Sequence, residues 1–286
     1  MLDMALISTL VHKLRKTLFS NLFNTIISLV FIFIISVVCL NSFEWLIFKA
    51  NWKVVTSNLP LYAFGSFPSN EQWRPATWII SLLSLSFITL FGPEWKWLRK
   101  NLFILWAATI PLGLYLLYGG MGLQPINSRH WGGLTLTILL TSCSSLLSLP
   151  LGIVLALCRQ SSLPLIQKTS SIYIDVMRAV PLIAVLFFGQ LLIPLFLPVG
   201  IEIDRVWRAI LAFTLFVSAY IAEDIRGGLQ SIPSTQIEAA NSLGLNQYQI
   251  IQFILIPQAL RIALPALTNQ SIGLFQNTSL MAILGL

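Results

Sequence analysis

Residues 17–43 read TLFSNLFNTIISLVFIFIISVVCLNSF, 27 positions without a single charged side chain. A helix of about 20 mainly apolar residues covers the hydrocarbon of a bilayer, so this run is long enough to cross one. Five further uncharged runs follow, at 75–93, 101–128, 131–158, 179–201 and 262–286. A shorter one, 209–222, is counted as a seventh span because Arg208 can snorkel to one interface while Glu223, Asp224 and Arg226 sit at the other. The whole chain agrees with this reading: 56% of its 286 residues are hydrophobic, 9% are charged, and the mean hydropathy is +0.83. Such a composition cannot hide its apolar surface inside one water-soluble globule. The expected fold is all-α, a polytopic membrane protein of about seven helices.

Orientation follows from the basic residues, which accumulate on the cytoplasmic side. His12, Lys13, Arg15 and Lys16 precede the first span, Lys96, Arg99 and Lys100 follow the second, and Arg159 and Lys168 follow the fourth. Only Lys49, Lys53, Arg74, Arg129, Arg205 and Arg208 fall outside, leaving 11 of the 17 basic residues inside. The N-terminus is therefore expected in the cytoplasm and, after seven spans, the last residue outside. The net charge of +7 has the same origin, since it is spread over loops and not gathered on one face with interleaved aromatics as nucleic-acid binding requires. The first apolar run is too long for a secretory signal, and Asn41, Ser42, Phe43 and Glu44 offer no small-x-small cleavage site.

Several chemistries are excluded by what the chain lacks. Cys39, Cys143 and Cys158 lie in or at the ends of spans without paired spacing, and His12 and His130 are isolated, so no metal site and no catalytic residue is expected. No Gly-x-x-x-x-Gly-Lys-Ser/Thr loop occurs, so ATP would have to be bound by another subunit. Residues 41–75, rich in Trp, Phe and Pro, are expected along the outer interface, where aromatics anchor.

The run 239–260 is uncharged, yet it carries Asn241, Ser242, Asn246, Gln247, Gln249, Gln252 and Gln258. It reads as amphipathic and non-spanning: a short helix from Ile237 that breaks at Gly244, then a second stretch, 248–256, running to Pro257. Ala240, Leu243, Ile250, Ile251 and Ile254 recur at roughly helical period and form one apolar face. A cytoplasmic helix of this kind can offer a face to a partner.

At these residues the chain resembles a known family. Glu238-Ala239-Ala240, Gly244, Ile254 and Pro257 are similar to the EAA signature of permease subunits of bacterial ABC importers, with Ile256 where the family usually has Leu. Other blocks resemble its polar amino acid branch. These are Leu134-Thr135-Leu136-Thr137; Tyr173, Arg178, Pro181 and Leu182; Ala219-Tyr220-Ile221-Ala222-Glu223 with Arg226-Gly227-Gly228-Leu229; Pro257-Gln258-Ala259-Leu260-Arg261; and Thr278-Ser279-Leu280 with Gly285-Leu286. Gln276 stands where the family has Lys. The family also continues through one more span to a cytoplasmic C-terminus, so a final helix is expected to be missing here.

The resemblance implies a division at 131/132: an extension of three spans over 1–131, and a permease core over 132–286 with its coupling loop at about 227–258. It implies that Glu238, Ala239, Ala240, Gly244 and Pro257 couple the chain to a cytoplasmic ABC ATPase dimer, which would carry ATP and magnesium while this chain needs no cofactor. Arg178, Glu223, Asn269, Asn277, Thr278 and Ser279 are the candidates for a substrate path or gate, with pairing between span ends or helices as their other reading. A second permease chain, identical or related, and a soluble extracytoplasmic amino-acid-binding protein are the other implied partners besides membrane lipid. The implied place is the bacterial cytoplasmic membrane. An ion-driven secondary transporter or channel would keep ionisable residues at mid-membrane and show inverted repeats. Asp175, Glu223 and Asp224 instead lie near the expected span ends, and no internal repeat is visible. A non-transporting scaffold would have no reason to carry the coupling signature.

Overall fold

The computed structural model describes residues 16–92, 95–198 and 200–285. His12, Lys13 and Arg15, expected to flank the first span, and Leu286 lie outside them. The described residues form helices and no named strand. Contacts divide the chain into two units, Met1–Asn58 and Leu59–Leu286. That boundary is one of contacts, whereas the division at 131/132 is one of motifs.

In the first unit, α1 runs Leu22–Lys49, capped by the Asn21 side chain accepting from the Asn24 N–H at 2.8 Å, and α2 follows at Trp52–Ser57. None of the most apolar window of α1 is buried within the chain. An all-round apolar helix with no protein over it is what a lipid-facing span looks like.

In the second unit, α3 (Leu59–Phe64) leads to the antiparallel pair α4 (Trp73–Phe91) and α5 (Lys96–Tyr118). Trp78 locks this pair. Its indole donates to the Thr109 carbonyl at 2.8 Å and occupies the space beside Gly113, where a Cβ would come within 2.3 Å of the ring. Arg74, expected among the outside charges, is buried, with Glu71 at 2.8 Å and the Gln124 carbonyl at 2.7 Å.

The remaining helices are α6 (Gly133–Arg159), α7 (Pro164–Ala179), α8 (Leu182–Phe196), α9 (Arg205–Gln230), α10 (Ser234–Ser242) and α11 (Gln247–Leu284). Their centre is α9, which packs along α6 and α11 and also meets α7. Small residues permit the close approach. A Cβ on Gly152 of α6 would lie 2.4 Å from the Ile221 Cγ2, and one on Gly228 of α9 would lie 2.5 Å from the Ala259 carbonyl oxygen of α11.

The spans shift from their expected bounds, the first from 17–43 to Leu22–Lys49 and the third from 101–128 to Lys96–Tyr118, and three others are reshaped by burial or proline. The sixth was expected at 209–222, but α9 covers Arg205–Gln230 and includes Glu223, Asp224 and Arg226. Burial is the reason: 67% of the most apolar window of α9 is covered by protein, so its charged turns meet other helices instead of lipid. The fifth was expected at 179–201 and is instead the pair α7 and α8, bent by 105°. Pro181 causes the break, since it has no N–H to donate and forces Val180 into an extended conformation with ψ 137°. The third correction is at Pro257. The stretch 248–256 does not end there; it is the start of α11, which runs 38 residues to Leu284. A π turn at Ile251–Leu255 immediately precedes the proline, and this wider turn relieves the clash that its ring would otherwise make with the preceding turn.

Candidate coupling loop and gate

Between α9 and α11 the backbone folds on local signals. Pro233 sets the entry to α10, which carries Glu238, Ala239 and Ala240, and Gly244 ends it with φ +75°. The Gly244 N–H bonds the Asn241 carbonyl at 2.9 Å, and the Leu245 N–H bonds the Ala240 carbonyl at 3.2 Å. This pair of bonds is a Schellman closure, which satisfies the last carbonyls of the helix and needs a left-handed residue at Gly244. Asn246 then caps α11: its side chain accepts from the Gln249 N–H and the Gln249 side chain accepts from the Asn246 N–H, both at 2.9 Å.

The predicted coupling residues divide by exposure. Ala240 is buried with Ile250, while Glu238, Ala239 and Gly244 are exposed, as is Pro257 farther along α11. Leu243, assigned from the sequence to the apolar face with Ala240, is instead 81% exposed, because the residue at the helix C-cap is carried round to the open side. Tyr248 is likewise exposed. Gln258 ties the loop down: its Nε2 donates to Gln236 Oε1 at 2.7 Å and to the Ile254 carbonyl at 3.0 Å. The result is a short helix held on one side, with Glu238, Ala239 and an apolar tip free on the other.

Two turns up α9 from its end, Glu223 is the meeting point of three helices. Its carboxylate lies 2.9 Å from Arg226 and 2.9 Å from Arg159 at the end of α6, and 3.4 Å from Arg178 at the end of α7. Arg159 also reaches Asp175 at 3.0 Å. Three guanidiniums thus surround one largely covered carboxylate, a geometry in which each charge-assisted bond is strong and loss of the carboxylate is costly. Pairing between span ends and helices, one of the two readings of Arg178 and Glu223, therefore occurs. The sequence did not single out Arg159: its partner is 64 positions away, and nothing local marks it.

This cluster adjoins a cavity. The Arg178 guanidinium lies over the Tyr220 ring, 5.6 Å from its centroid, and Tyr220 lines a cavity of about 290 Å³ together with Phe216, Leu182, Gln270, Gly273 and Asn277. Gln270 Nε2 donates to Asp224 Oδ2 at 3.1 Å. Of the path candidates Asn269, Asn277, Thr278 and Ser279, Asn277 faces this space. Thr278 and Ser279 line a different one of about 190 Å³, with Thr137 and Met281. The Thr278 hydroxyl is buried and reaches the Thr137 hydroxyl at 3.3 Å, and Asn269 is exposed and lines neither cavity. Tyr220 was legible only as part of the block 219–223, and no local signal marked it as a neighbour of Gln270.

The family of binding-protein-dependent transport system inner membrane components matches residues 148–286. The inner membrane amino-acid ABC transporter permease protein YhdY of Escherichia coli (strain K12) is 36% identical over 291 residues, covering 95% of this chain and 78% of that protein. The glutamate/glutamine/aspartate/asparagine transport system permease protein BztC of Rhodobacter capsulatus is 43% identical over 166 residues, 58% of this chain and 38% of that protein. Among solved structures, a crystal structure of an amino acid ABC transporter with histidines shares 32% identity over 54% of this chain and 71% of that one, with a TM-score of 0.48.

Proposed function

As the chain belongs to the family of binding-protein-dependent transport system inner membrane components, we propose that it is the permease subunit of an ATP-driven importer of amino acids. The observation that carries this reading is the Schellman-closed α10, presenting Glu238 and Ala239 on the open side of a loop tied to α11 through Gln236 and Gln258. A separate cytoplasmic ATPase dimer receives that helix, binds ATP and magnesium, and does the hydrolysis. A second permease chain completes the path, and a soluble extracytoplasmic protein delivers the amino acid.

The geometry suggests how motion is passed on. Glu223 and Gln230 are seven residues apart on one continuous helix, about 10 Å at 1.5 Å per residue, so a push on α10 reaches the arginine cluster through the short link Ser231-Ile232-Pro233 and then a single helix. Arg159 and Arg178 sit on other helices, and displacement of α9 must lengthen or shorten their contacts to Glu223. Arg178 also stacks on Tyr220, which connects the cluster to the wall of the cavity that holds Gln270 and Asn277. Two global states that differ in these contacts are what alternating access requires, and the ATPase supplies the differential free energy between them.

The discriminating experiment is co-purification. Drawn from the membrane in mild detergent with its neighbouring gene products expressed, the chain should bring down an ABC ATPase, and alone it should hydrolyse no ATP. Intrinsic turnover by the isolated chain, or failure to capture any ATPase, would remove the reading.

The proposed orientation places the N-terminus and α10 in the cytoplasm, on the basic-residue asymmetry given above. Asn246 and Ser69 are both exposed. With the native cysteines replaced by serine, a cysteine at Asn246 should react with an impermeant maleimide only in inverted vesicles, and one at Ser69 only in intact cells. Reversed labelling would invert the assignment.

A further inference from the structure

The end of α9 opposite the coupling loop carries a charged cluster that coupling and gating do not use. A cavity of about 260 Å³ there is lined by Arg129, Arg205, Arg208, Ser128, Glu202 and Asp204 among others. At about 30 Å³ per water molecule, it holds roughly eight waters, enough space for the head of a small organic acid.

The arginines are held in place by neutral acceptors. Arg205 donates to the Gly285 carbonyl at 2.7 Å and to the Ser128 carbonyl at 3.3 Å, and Arg208 donates to the Gln190 carbonyl at 2.8 Å. Carbonyls orient a guanidinium without cancelling its charge. Asp204 is a nearby carboxylate and offsets part of this charge, while its oxygens also accept from neutral donors, Oδ2 from the Ser128 hydroxyl at 2.6 Å and Oδ1 from the Val206 N–H at 2.8 Å. Among the described residues none of the three arginines forms a salt bridge, and the Nε of Arg205 and of Arg208 is buried without a hydrogen-bond partner. Their placement is also one that stability alone disfavours. Arg205 and Arg208 stand in the first turn of a 26-residue helix, whose N-terminus is already positive. Three guanidiniums against two carboxylates, Glu202 and Asp204, leave the lining of this polar cavity net positive, a setting that suits an anionic group.

We infer that this cavity is a carboxylate-binding vestibule, formed by Arg129, Arg205 and Arg208, that receives the α-carboxylate of an amino acid at the end of the path opposite the coupling loop. The assignment of an amino acid rests on the import reading above; the carboxylate chemistry rests on the arginines alone. Glu202 fits the same ligand. It lines the cavity and forms no salt bridge among the described residues, so its carboxylate can face the α-ammonium of a zwitterion whose other end meets the arginines.

The test uses the full chain purified in detergent, with glycine as the smallest zwitterion and glycinamide, which lacks the carboxylate, as its control at constant chloride. Glycine should raise the melting temperature and bind with a millimolar isotherm, and glycinamide should do neither. Arg129→Gln is the informative variant, because the Arg129 side chain makes no hydrogen bond among the described residues and its loss should leave the fold intact. It should weaken glycine binding about tenfold, the size of one charge-assisted hydrogen bond. Equal responses to glycine and glycinamide would overturn the proposal. So would an Arg129→Gln chain that binds glycine normally but captures the soluble binding protein less well, since the arginines would then serve an acidic side chain of that protein. Neither measurement requires an ATPase, so the vestibule can fail while the import reading stands, and the reverse.

Discussion

Glu223→Ala should produce the largest loss of stability of any single substitution in the helical core. It leaves Arg159, Arg178 and Arg226 converging on an empty position, with Asp175 beside Arg159 and Asp224 near Arg178 as partial compensation. Breaking a buried pair by removing one partner costs about 3–5 kcal/mol, because the remaining charge stays desolvated and unpaired. Here the exposure differs among the three: the Arg178 side chain is 39% exposed and Arg159 22%, so Arg178 recovers part of its loss from water and Arg159 recovers less. The expected result is a chain that inserts in reduced amount and melts several degrees lower in detergent. Glu223→Gln keeps the shape and one acceptor and should be milder. Stability and gating separate in the double variant Arg159→Leu with Glu223→Leu, in which both members of one contact become apolar. Its melting temperature should lie well above the sum of the single effects, as expected for groups in direct contact. Transport should stay lost, because the contact that distinguishes the two states is gone. If Glu223→Ala melts like the parent chain, the cluster is not what holds α6, α7 and α9 together.

The legible part of this fold is the part that lipid or local backbone chemistry dictates. The first span, with none of its window covered by protein, could be read directly because hydropathy scales describe transfer into hydrocarbon. The sixth could not. α9 is surrounded by helices, so its sequence answers to protein neighbours and tolerates Glu223 and Asp224 within the helix. The fifth and seventh were misplaced by their prolines, which act oppositely. Pro181 breaks its span by 105°, whereas Pro257 is absorbed after a π turn. No local pattern separates the two cases, since what differs is the packing around them.

The same division runs through the site. Gly244 and the residues before it were legible because a Schellman closure is written within six positions. The apolar character of Leu243 was legible too, but not its direction, which the left-handed turn after it decides. The Glu223 cluster joins residues from 159 to 226, and the cavity beside it joins α8, α9 and α11. These are consequences of helix packing, and the sequence offered the polarity of the members and pairing as one reading of Arg178 and Glu223, but not Arg159 or the cavity. The polar residues Asn277 and Thr278 make the point: adjacent in sequence, they open into different cavities because a helix turns about 100° per residue.

Gly244→Val should abolish uptake while leaving the amount of chain in the membrane unchanged. Gly244 has φ +75°, and no atom lies within 4 Å of where a Cβ would be, so within this chain the penalty is backbone strain and not collision. A left-handed conformation costs an L residue about 1–2 kcal/mol, and a β-branched side chain stands at the unfavourable end of that range. To escape, the backbone must give up the bonds from Gly244 to Asn241 and from Leu245 to Ala240, which redirects the chain entering α11 and swings Glu238 and Leu243 away from their present setting. None of the spans depends on these bonds for its own hydrogen bonding, so insertion survives. The ATPase should co-purify weakly or remain uncoupled from substrate. Glu238→Ala, exposed and free of strain, should be milder. Gly244→Asn separates the two sources of damage. Asn is nearly as bulky as Val but accepts a left-handed conformation readily, so it should keep the closure and most of the uptake. Loss of uptake in Gly244→Asn equal to that in Gly244→Val would place the damage in side-chain bulk against the partner, and normal uptake in both would remove α10 from the coupling path.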